Sequence, residues 1–238
     1  MSSRRGHPWF GAAACALLAL RAAAAAAQPP TVITPAAADT VVLRLEPRLT
    51  RATHALTARE QADRLQYRHR FAEAETVLDG WLAQHPDDAA ARLQRAQLRI
   101  ERNNPRGALA DCLQAAPLLS ALAASACEAQ ALAGLGRVTR ARELVESALE
   151  RTADAAPVRS WASGIAAELA ARERDMAAAE RWHRAALADA GSAHYPRVAY
   201  AEFLLGQGRA TEVLPLLAAA TEDATVLRLR RRALEAMP

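Results

Sequence analysis

Apolar and polar residues in this chain alternate with a helical beat, and the smallest apolar residues mark a longer one. Ala62, Ala96, Ala129, Ala167 and Ala201 stand 34, 33, 38 and 34 residues apart. Twelve residues after each come Ala74, Ala108, Ala141, Ala179 and, the one exception, Val213. Two small residues at a fixed offset, repeated five times, predict a hairpin of closely packed helices stacked on copies of itself. The fold class expected is all-α, a solenoid of antiparallel helix pairs over residues 51–222.

Local signals place the helices. Thr57 and Glu60 have capping-box spacing, which starts a helix running to about His69. A second helix is expected from about Ala72 to Gln84, ending before Pro86. Asn104 is a good N-cap and Pro105 a good first helical residue. Gly136 and Gly208 suit the turns of the third and fifth pairs, where a left-handed backbone is cheap for glycine. Pro157 and Pro196 open the fourth and fifth pairs. A last helix, about Asp223 to Met237 within a capping segment 223–238, has no partner and carries Arg228, Arg230, Arg231 and Arg232.

The register resembles that of the tetratricopeptide repeat family, whose repeats of about 34 residues carry small residues at the eighth and twentieth positions. The alanine pairs fall on those positions if repeats begin near Ala55, Ala89, Leu122, Ser160 and His194. The 27th position reads Trp81, Ala115, Ala148, Ala186 and Ala220. The family's early Trp is missing from every repeat, and the third repeat is four residues longer. The resemblance covers residues 55 to 238 and implies a right-handed superhelix with the first helix of each pair on its concave side.

On that concave face the resemblance places Arg59, Asp63, Tyr67, Gln97, Gln130, Trp161, Glu168, Tyr195 and Glu202. One row, Asp63, Gln97, Gln130, Glu168 and Glu202, accepts hydrogen bonds at every step. Flanked by Tyr67, Trp161 and Tyr195, it is a candidate cradle for an extended peptide. The plainer alternative is a solvated polar face. Some members of the family bind chaperone C-termini through Lys and Asn here. This chain has no Lys, and Asn103 and Asn104 lie off that face, so that role is not expected.

Composition narrows the function. Aromatics are 4%, and all 30 basic residues are Arg. Residues 1–27 have the parts of a secretory signal: Arg4 and Arg5, an apolar stretch from Trp9 to Leu20, and small residues from Ala22 to Ala27 before Gln28. Ala12 to Cys15 is a poor lipoprotein box, because little apolar sequence precedes it. Subtracting Arg4, Arg5 and Arg21 from the formal charge of +4 leaves +1, which removes the concentrated basic face that nucleic acid needs. Residues 28–50 hold Pro29, Pro30, Pro35 and Pro47 and read as an extended linker. Within it, Thr40 to Leu45 is β-prone and either adds to a partner's sheet edge or lies against the first helix.

Cys112 and Cys127 lie about two helical turns either side of a turn near Leu119, so antiparallel helices set them level. In an oxidising compartment a disulfide is expected. No HExxH, phosphate loop, GxSxG or metal-ligand spacing occurs, so neither an enzyme nor a cofactor is expected. The sequence thus reads as an exported, periplasmic adaptor for a protein or peptide in the cell envelope. The alternatives are a structural subunit of an envelope complex and a module for cell-wall glycan.

Overall fold

The structure, a computed structural model, describes residues 57–191, 193–220 and 222–237. The signal-like segment, the Pro-rich stretch with Thr40 to Leu45, and the first residues of the first repeat lie outside the described residues.

Eleven α-helices run in order, with no strand among the described residues. α1 (Ala58–Tyr67) and α2 (Phe71–Gln84) form the first antiparallel pair, α3 (Ala89–Glu101) and α4 (Pro105–Ala115) the second. α5 (Ala121–Gly134) pairs with α6 (Val138–Arg151), α7 (Ala156–Arg172) with α8 (Met176–Ala188), and α9 (Tyr195–Gly206) with the short α10 (Val213–Leu217). α11 (Ala224–Glu235) closes the array. Pro215 has no N–H to continue a ladder, and α10 is only five residues long, preceded by a 3₁₀ turn over Ala210–Glu212.

The caps are made by the residues whose chemistry suits them. The Glu60 N–H donates to Thr57 Oγ1 at 3.2 Å and the Thr57 N–H to Glu60 Oε2 at 3.1 Å, so two orphan donors are satisfied reciprocally. Asn104 accepts from the Gly107 N–H at 3.0 Å, and Asp223 from the N–H groups of Thr225 and Val226, both at 2.8 Å.

The turn inside each pair is the same in all five repeats. His69, Asn103, Gly136, Arg174 and Gly208 take φ of 58°, 59°, 80°, 63° and 73°. In each, the next N–H returns to a carbonyl of the preceding helix: Arg70 to Leu65, Asn104 to Arg99, Arg137 to Leu132, Asp175 to Ala170, and Arg209 to Leu204, at 2.7–3.0 Å. This is the Schellman closure, which satisfies carbonyls the helix end leaves open. It corrects the expectation that α1 reaches His69: the helix stops at Tyr67, and His69 turns left-handed. Likewise the last helix ends at Glu235 rather than Met237.

The two small residues of each repeat sit where helices meet. All five first-helix alanines are at most 1% exposed, and all five partners, Val213 included, are fully buried. Where helices come this close a side chain larger than methyl would force them apart. The four extra residues before the fourth register alanine form one more turn at the start of α7, which has 17 residues. One turn leaves the helix face nearly unrotated, so the stacking continues.

Cys112 on α4 and Cys127 on α5 form a disulfide with a Cα–Cα distance of 5.6 Å, both residues at most 3% exposed. It ties the second pair to the third.

Candidate functional site

Successive first helices pack directly on one another: α1 on α3, α3 on α5, α5 on α7, and α7 on α9, with α11 then packing on α9. Successive second helices do not pack in this way; each instead meets the first helix of the next repeat. An array crowded along its first helices and open along its second ones curves with the first helices inside. The polar row follows the register alanines along this inner side.

Its members are unequally buried. Gln97 and Gln130 are 4% and 2% exposed, while Asp63, Glu168 and Glu202 are half-buried. Gln94, beside the row, donates from Nε2 to Asp63 Oδ1 at 2.7 Å. Arg172 donates to Glu168 at 2.9 Å. Burial pushes the Glu101 carboxyl up to about 7; the neighbouring Glu168 charge adds to the rise and the Gln97 amide opposes it.

Seven buried side-chain atoms among the described residues have no hydrogen-bond partner. They are Arg59 Nε, Gln94 Oε1, Gln97 Nε2, Glu101 Oε1, Gln130 Nε2, Trp161 Nε1 and Ser163 Oγ. All seven belong to first helices: α1, α3, α5 and α7. Leaving a buried polar atom unpaired costs about 1–3 kcal/mol, so their gathering on the first helices needs a reason.

A pocket of about 190 Å³ opens on the same side, between α7 and α9, with α8 behind it. Gln130, Trp161, Glu168, Tyr195 and Glu202 line it, so five of the nine residues singled out in the sequence converge there. Arg59 and Asp63 lie further along the array, where Gln94 Nε2 also reaches the Arg59 carbonyl at 3.3 Å. Gln97 sits beside Glu101, and Tyr67 is 88% exposed at the end of α1. Sequence reasoning missed the residues that make the hollow. Gly164 faces open space, with nothing within 4 Å of where a Cβ would stand, and Ile165, Pro196 and Phe203 supply apolar wall. A glycine inside a helical run was the available signal.

His183 backs the pocket and is packed rather than reactive. Its ring lies 5.5 Å from Tyr200 and 5.0 Å from Phe203, and burial lowers its pKa to about 4, against a weaker pull from Glu180. Burial likewise raises the Glu202 carboxyl, although Arg228 and Arg232 of α11 act against it. Among the described residues no three His, Cys, Asp or Glu side chains are placed to hold a metal ion.

Around the second helices polar groups are paired. Arg95 reaches Asp111 at 2.5 Å and Asp79 at 2.7 Å, and Arg99 reaches Asp111 at 2.8 Å and Glu75 at 2.9 Å. Arg142 holds Asp175 at 2.7 Å, Glu146 at 2.9 Å and Glu173 at 3.1 Å. Arg209 holds Glu180 at 2.8 Å, which also accepts from the Tyr200 hydroxyl at 3.0 Å. These arginines span from one repeat to the next where the second helices stand apart.

No protein-family model matches the sequence. No curated protein is similar to it. Its backbone, however, is similar to that of TTC0263, a thermophilic TPR protein of Thermus thermophilus, with a TM-score of 0.60 and 22% identity over 75% of this chain and 96% of that one. The fold is tetratricopeptide-like. MamA has 12% identity and a TM-score of 0.42, over 74% of this chain and 93% of that one. The structure is an α-solenoid of helix pairs. No described helix is long and apolar enough to cross a membrane.

Proposed function

We propose that this protein is an exported adaptor whose inner face binds a protein or peptide in the cell envelope. The observation that carries the reading is the confinement of unpaired buried polar atoms to the first helices, beside the pocket between α7 and α9. A partner laid along that face supplies the missing hydrogen bonds, and the binding energy comes from their formation as well as from apolar contact. Export is supported by the signal-like residues 1–27 and by the Cys112–Cys127 bond, since disulfides persist in oxidising compartments.

A second reading has one observation in its favour. Leu227 and Leu234, seven residues apart on one side of α11, are 54% and 59% exposed. A structural subunit would bury that end of the array in a larger complex.

Photo-crosslinking in the native host separates the two. A crosslinker at Glu168, with the tagged protein exported by its own signal, is expected to capture one envelope protein, while a crosslinker at Arg140 on α6 captures none. Capture from Leu227 alone supports the subunit reading. No capture above an exported-tag control from any position overturns the adaptor reading.

A further inference from the structure

We infer that the pocket between α7 and α9 seats one medium-sized aliphatic side chain from an internal stretch of polypeptide, whose adjoining carbonyl accepts from Gln130 and Trp161. This rests on the adaptor reading and names what the inner face grips.

Two observations choose the ligand. The first is the pair of donors. Gln130 is 2% exposed and Trp161 7% exposed, both line the pocket, and neither Gln130 Nε2 nor Trp161 Nε1 has an acceptor. Both are N–H groups, so both ask for an acceptor. The terminal torsion of a Gln is broad, which lets the Gln130 amide turn toward the pocket it lines. The second observation is the pair of carboxylates, Glu168 and Glu202, in the same wall. These accept N–H groups and repel anions. A peptide unit carries one carbonyl and one N–H and answers both halves of the site.

A free terminal carboxylate satisfies the donors but meets Glu168 and Glu202, so the site discriminates against chain ends. Burial raises the Glu202 carboxyl even against Arg228 and Arg232, so a second carboxylate buried beside it pays the same loss of solvation. Size points to a single side chain: about 190 Å³ is below the about 300–1,000 Å³ of small-molecule pockets. Ile165, Pro196 and Phe203 make its wall apolar. A sugar ring would need an open aromatic face to stack on; the Trp161 ring is almost wholly covered, and Tyr195 and Phe203 are half-buried.

The test uses the full-length protein exported by its own signal and follows the Trp161 indole N–H by NMR, assigned with Trp161→Phe. The probe is a short peptide with acetylated and amidated ends and a central leucine in a Gly/Ser background. It is expected to shift that resonance saturably. Replacing the leucine by alanine weakens binding at least about tenfold, since each lost methylene in an apolar pocket is felt that strongly. Ending the peptide in a free carboxylate at the leucine weakens it by a similar factor. Gly164→Leu plugs the pocket and abolishes the shift, while Gly164→Ala, which meets open space, keeps both the fold and most of the binding.

Equal binding by Gly164→Leu, with its thermal unfolding unchanged, overturns the inference. So does a shift produced by an N-acetylglucosamine tetrasaccharide and not by the peptide, which reassigns the pocket to glycan. If crosslinks from Glu168 persist in Gly164→Leu, the adaptor reading stands and only the anchor falls.

Discussion

The two sides of this array treat polar groups in opposite ways. Around the second helices, Asp111 is 2% exposed and takes hydrogen bonds from both Arg95 and Arg99. Along the first helices, Gln130 is equally buried and its amide nitrogen has nothing. Burial is the same, so the difference lies in the neighbours. On the outer side, long arginines cross the gaps between repeats and hold them in position. Along the first helices, Gln94 still reaches Asp63 across a repeat, but Gln130 and Trp161 each leave a buried N–H without an acceptor. The outer polar groups stabilise the solenoid, and the inner ones stay unpaired at some cost in stability, as the proposed ligand requires.

That contrast breaks first at Asp111. Asp111→Ala takes one carboxylate from each of Arg95 and Arg99, which are only 13% and 19% exposed and keep Asp79 and Glu75, and is expected to cost about 3 kcal/mol in urea unfolding. A loss below about 1 kcal/mol would make the outer network ornamental. The joint between the sides comes next. Replacing both Cys112 and Cys127 by Ala opens the α4–α5 link and is expected to cost about 3 kcal/mol, measured the same way.

The two sides should also answer pH with opposite signs. Burial pushes the Glu75 carboxyl up, but hydrogen bonds from Arg99 and Arg102 outweigh it and leave the pKa lowered. Its contribution is therefore present above the unfolded pKa and lost as pH falls through the folded one. Glu101 is raised from 4.5 to about 7, so the folded state binds the extra proton in that window. Its stability contribution is greatest below about 4.5 and declines as pH rises to about 7. Urea midpoints of Glu101→Gln and the parent should agree near the acid end of this window and separate above it, with the variant more stable. Parallel curves would refute the assignment.

The smallest effect is expected at Gln97. Gln97→Leu removes a buried amide whose Nε2 makes no well-formed hydrogen bond and only helps to hold the Glu101 charge, and is expected to change stability by less than about 1 kcal/mol. A loss of about 2 kcal/mol would mean the amide is satisfied and the inner side resembles the outer.

How far the sequence reached can be judged from particular residues. The alanine register located the five helix pairs, because a small side chain is favoured where two axes nearly touch. The Thr57–Glu60 cap was legible for a related reason: its partners are three residues apart. The turns were only half legible. Gly136 and Gly208 announce a left-handed residue, whereas His69, Asn103 and Arg174 do not. The stacked repeats impose the same turn on all five, and a left-handed backbone costs an ordinary residue about 1–2 kcal/mol.

The repeat, its period and the side of each helix that faces a neighbour were thus legible in advance, since these depend on spacing along one chain. Which of the polar residues on the inner face find partners was settled by the packing of one repeat on the next. The same packing also decided that Gly164, Ile165, Pro196 and Phe203 would enclose a hollow with Gln130 and Trp161 in its wall. Those outcomes depend on atoms from different repeats meeting or missing by an ångström, a distance that no spacing in the sequence encodes.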